Sequence, residues 1–167
     1  MKRWYVYTSI GFIFGIFDWF FLDWLAKDIG PNLGENSIIV TPIILGLNYG
    51  IWLLPIIPVT IYESRLAKTI KKPIFAGMLT WSSAIFSYYG FYAILLSLGR
   101  LPHLDHFNVF NQDFPEVRVI YWRWFNSLIL FQLFEWIPIA VIGGGLIGAV
   151  VWCITNKINN RNISSKV

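Results

Sequence analysis

Four long apolar runs, separated by polar stretches rich in turn formers, set the pattern of this chain. The first, over 4–26, reads WYVYTSIGFIFGIFDWFFLDWLA. A membrane-spanning helix needs about 20 mainly apolar residues, because the hydrocarbon core is ~30 Å thick and a helix rises ~1.5 Å per residue. Further runs over 38–62, 74–98 and 125–153 are also long enough. The pattern predicts an all-α protein: a polytopic transmembrane bundle of four helices, in one membrane domain over 1–156. A polar tail over 157–167 is expected to be disordered.

The connections have different characters. The segment 27–37 (KDIGPNLGENS) concentrates turn formers and ends on Ser37, a suitable N-cap. The segment 63–72 is strongly basic. The longest connection, 99–124, contains Asp113, Pro115 and Glu116 in a capping-box arrangement. Its end, VRVIYWRW over 117–124, reads either as a short interfacial helix or as the overhang of the fourth span. Pro55 and Pro58 are expected to kink the second span, and Pro138 to break the ladder of the fourth and free the Phe134 carbonyl. The run Gly143, Gly144 and Gly145 is expected to loosen the helix after that break. The first apolar run exceeds a signal h-region and lacks a small-residue cleavage pattern, so it is expected to be retained.

Composition agrees with the membrane reading. Charged residues make up 13% of the chain, against about 25% in ordinary soluble domains. The net charge of +4 would suggest nucleic acid only if topology were ignored, and no nucleic-acid partner is expected. With the first residues inside, the inner segments hold Lys2, Arg3, Arg65, Lys68, Lys71, Lys72, Lys157, Arg161 and Lys166. The outer ones hold only Lys27, Arg100, Arg118 and Arg123. The positive-inside rule therefore predicts a multi-pass cell-membrane protein with both termini in the cytoplasm. The single cysteine, Cys153, excludes an internal disulfide.

Three acids fall inside apolar runs: Asp18, Asp23 and Glu135. An acid at the bilayer centre costs at least ~2.5–3.5 kcal/mol on insertion scales, so each requires a partner or a purpose. Asp18 and Glu135 are expected at similar depth, ~12–15 Å below the same face. Each acid precedes a tryptophan (Trp19, Trp24 and Trp136), whose indole N–H would suit a carboxylate on a facing helix. One reading makes Asp18, Asp23, Glu135 and Asn48 a polar site for a proton, a cation or an amine, with Asp23 at its entrance. The other makes the acids structural, bonded to Trp, Tyr, Asn48 or Arg123.

Weaker candidates lie elsewhere. His103, Asp105 and His106 have side chains that suit a metal, in a spacing that matches no established motif. The alternative is a solvated loop. The small-xxx-small pairs Gly11/Gly15, Gly46/Gly50 and Gly144/Gly148, with Ser83/Ser87, predict close helix packing. Nucleotide-binding, zinc-protease, serine-hydrolase and redox motifs are absent, and no cofactor is implied. The expected partners are the lipid bilayer and, in addition, a membrane protein or a second copy of the chain. The functional expectation is a small transporter-like protein or part of a transport complex. The alternatives are an accessory subunit of a larger membrane complex and a membrane enzyme using the histidine loop.

Overall fold

The computed structural model describes residues 3–25, 46, 50–98 and 125–164. All its extended elements are helical: α1 (Arg3–Trp24), α2 (Leu53–Leu66), α3 (Lys71–Ser97) and α4 (Phe131–Ser164), the last entered through a π-helical stretch, Phe125–Leu130. Two helical stretches, Arg3–Trp24 and Phe125–Ile158, are long and apolar enough to cross a membrane. Residues 27–37 and 99–124 lie outside the described residues. So do the Ser37 cap, the Asp113–Glu116 capping box and the choice between interfacial helix and overhang.

α3 is the centre of the bundle, with α1, α2 and α4 packed around it. Small residues make this possible. A methyl group at Gly11 or Gly15 would overlap the carbonyl oxygens of Thr80 and Ala84 on α3. On another side of α3, a methyl at Gly144 would collide with the backbone of Gly77, and one at Gly148 with that of Pro73. Removing the Cβ lets two backbones approach until their main chains touch, the packing that small-xxx-small spacing permits. A methyl at Gly46 or Gly50 would meet nothing within 4 Å among the described residues.

The contacts also set direction. Along α1 and α3, Trp4 meets Phe75 and Trp19 meets Phe91, so these helices run parallel. Along α4 and α3, Gly144 meets Gly77 and Gly148 meets Pro73, so these run antiparallel. α2 opposes α1, with Glu63 beside Arg3 and Trp52 beside Phe14. The four helices therefore alternate up and down. The start of α1, the end of α2, the start of α3 and the later half of α4 share one end of the bundle.

Several boundaries differ from expectation. α2 continues to Leu66 and α3 starts at Lys71, so only Ala67–Ile70 connect them. Pro55 lies in the first turn of α2. It cannot donate to the Ile51 carbonyl, and the chain turns at Ile51 and Trp52, where Leu54 N–H takes that oxygen at 3.0 Å. Pro58 and Pro138 instead sit inside continuous helices. α4 runs on to Ser164, which corrects the expected disordered tail over 157–167 as far as the described residues go. At 34 residues it is ~51 Å long, well beyond a hydrocarbon core. The three consecutive glycines are packing surfaces and not a loosened segment. Gly143 receives the Trp81 indole, and Gly144 meets α3 directly.

Candidate functional site

The inward stripe of α1 runs Tyr7, Gly11, Gly15, Asp18 and Trp19. These positions recur at three to four residues, so one helical face carries both glycines and the acid. The glycines pull this face against α3, and Asp18 is carried in with it. Its relative exposure is 0%. Neither carboxyl oxygen has a hydrogen-bond partner among the described residues, and neither does the Trp19 indole N–H.

The hydroxyl groups of α3 do not fill this need. Ser87 donates to the Ala84 carbonyl at 3.0 Å, Ser83 to that of Thr80 at 3.0 Å, and Thr80 to that of Ala76 at 2.8 Å. Serine and threonine inside helices commonly bond back to their own turn. These three hydroxyls are therefore spent on their own backbone. What remains near Asp18 is aromatic. Tyr88 and Tyr89 both lie within electrostatic range of the carboxyl, and their rings meet edge to face at 5.1 Å. Trp52 reaches Tyr88 from the turn before α2 at 6.2 Å, and Trp19 packs on Phe91 at 5.5 Å.

The other expected site residues stand differently. Glu135 is exposed on α4, on another flank of α3, and does not share the burial of Asp18. Tyr89 nevertheless lies within electrostatic range of both acids. Asp23 is half-buried, ~7.5 Å further along α1. Asn48, His103, Asp105 and His106 lie outside the described residues, and among the described residues no cluster suits a metal ion. The tryptophans that follow Glu135 and Asp23 stand in different surroundings. Trp136 donates to Gln132 of its own helix at 3.2 Å, and Trp24 is exposed.

A second buried acid, outside the three that interrupt apolar runs, is hidden in the sequence. Glu63, with 1% exposure, lies near the end of α2, within what reads as a basic connection. Its Oε2 accepts from the Tyr7 hydroxyl and, at 3.2 Å, from Arg3 Nη1. Its Oε1 has no partner among the described residues. The signal is present in the spacing, because Ile56, Val59, Thr60 and Glu63 continue one buried face of α2.

The two buried acids thus differ in kind. Glu63 is tied to a cation and a phenol at one end of the bundle, whereas Asp18 is enclosed without a counter-charge among the described residues. An unpartnered carboxyl in an apolar interior is costly to ionise, and that cost falls if a proton or a cation joins it. No protein-family model matches the chain, and no curated protein or solved structure matches it either.

Proposed function

We propose that this chain is a four-span cell-membrane protein, both termini cytoplasmic, that binds a proton or a small monovalent cation at Asp18 as part of transport. The observation that carries the reading is the complete burial of Asp18 with both oxygens unpartnered among the described residues. A bundle that used this acid only as glue would give it a donor, since leaving a buried polar group unsatisfied costs about 1–3 kcal/mol.

The alternating helix directions and the excess of basic residues in the inner segments support the topology. In this reading Tyr88 and Tyr89 line the site. Asp23 stands nearer the outer surface and guides cations toward it. Glu135 acts from the flank through Tyr89 and is not a direct co-ligand.

Reconstitution tests the reading. Liposomes containing the wild-type chain should dissipate an imposed proton or sodium gradient faster than empty liposomes, and Asp18→Asn should remove the difference. Equal leakage from wild-type, Asp18→Asn and empty liposomes would sink it.

A further inference from the structure

α1 and the α2 segment touch at two levels. Phe14 packs on Trp52 at 5.7 Å, and near the other end Arg3 and Tyr7 bind Glu63. Between these levels lies a groove of about 310 Å³. Val6 and Ile10 form one wall, Pro58 and Val59 the other, and Arg3 and Tyr62 stand at its mouth. Tyr7 and Val59 close its floor against Ala76 of α3. The proline ring at position 58 fills less of the wall than a longer aliphatic side chain would.

The polarity along this groove is graded. Arg3, Val6 and Ile10 fall on one face of α1, so the apolar part runs ~10 Å inward from the guanidinium. On α2, Arg65 follows Tyr62 by three residues and extends the same face past the mouth. Arg65 is exposed, and so are Lys68, Lys71 and Lys72 at the same end of the bundle. Arg3 is 44% exposed, and it gives Glu63 a single guanidinium nitrogen, Nη1. A guanidinium carries five N–H donors, in a geometry that suits a phosphate. Tyr62, also exposed, places a phenol at the level where such groups meet headgroups.

We infer that this groove binds an anionic phospholipid of the inner leaflet, with its phosphate between Arg3 and Arg65 and the start of one acyl chain along Val6, Ile10 and Pro58. The inference rests on the membrane-spanning reading above. Charge complementarity selects the anionic headgroup, since the cations at the mouth outnumber Glu63, which is buried behind Tyr7. The apolar walls select a lipid over a free anion, because inorganic phosphate would leave them unused.

The test uses the full-length chain in mild detergent. Native mass spectrometry measures retention of dioleoyl-phosphatidylglycerol against dioleoyl-phosphatidylcholine. A parallel melting assay adds inorganic phosphate. Carbonate extraction of the source membranes checks insertion independently. At least tenfold preference for the glycerol lipid is expected. Arg65→Gln should lose most of it, and Ile10→Trp, which fills the groove, should weaken both lipids while the lipid-free melting temperature stays unchanged. Equal binding of the two lipids, stabilisation by inorganic phosphate equal to that by the glycerol lipid, or an Ile10→Trp variant that binds normally would overturn the site. If the chain stays in the carbonate pellet, such results overturn the lipid site alone. Release into the supernatant would overturn the spanning reading and the site with it.

Discussion

The Tyr7 hydroxyl donates to the carboxylate of Glu63, 56 residues further along the chain, and Arg3 donates to the same oxygen. This contact joins the start of α1 to the end of α2, at the end of the bundle where the basic residues collect. Asp18, by contrast, has no such support among the described residues.

Removing the phenol should therefore be costly. Hydrogen bonds to charged groups contribute about 1.5–3 kcal/mol, and Glu63 has little else to replace this one. Tyr7→Phe should lower unfolding free energy by about that amount in detergent. Tyr5→Phe, on an exposed position of the same helix, should stay within about 0.5 kcal/mol. Equal effects of the two would mean the Glu63 contact contributes nothing.

The glycine positions divide by what surrounds them. Gly15→Ala and Gly144→Ala drive a methyl into the backbone of α3, and overpacking of this kind costs about 1–3 kcal/mol. Gly90, in the same central helix, has open space at its Cβ position among the described residues. Gly90→Ala should stabilise by up to ~1 kcal/mol through helix propensity. The melting temperature should thus fall in the first two variants and rise in the third.

Glu135 tests how far the site extends. It is exposed, and it shares with Asp18 the electrostatic neighbourhood of Tyr89. Glu135→Gln should change stability by no more than about 0.5 kcal/mol and leave cation dependence in place. Loss of cation dependence in this variant would make it a direct ligand.

Much of the architecture is readable from the residues, for identifiable reasons. The apolar runs and the spacings Gly11/Gly15 and Gly144/Gly148 anticipate α1, α3, α4 and their close packing, since helix period and side-chain size are properties of the residues alone. Asp18 stands out in sequence because it interrupts an apolar run. Glu63 does not, because its neighbours Arg65, Lys68, Lys71 and Lys72 make it look like part of a solvated connection, and only Tyr7 and Arg3 from a distant segment reveal its burial. The continuation of α4 past Lys157 is disguised by polarity, although 149–164 contains neither glycine nor proline to stop a helix. The burial of Asp18 and the exposure of Glu135 depend on which flank of α3 each helix occupies. Depth along a span carries no information about that.

If Asp18 is held unpartnered in order to bind, its ligand should stabilise the fold. The experiment is thermal stability of the wild type and Asp18→Asn in mild detergent, across about pH 5 to 8, with and without sodium or potassium. A cation that binds only the folded chain, at about 100 times its dissociation constant, adds ~2.7 kcal/mol. Such a shift is expected in the wild type and none in Asp18→Asn, with the variant at least as stable as the cation-free wild type. A wild type indifferent to pH and cations, beside a strongly destabilised Asp18→Asn, would refute binding and make the acid a structural element of the bundle.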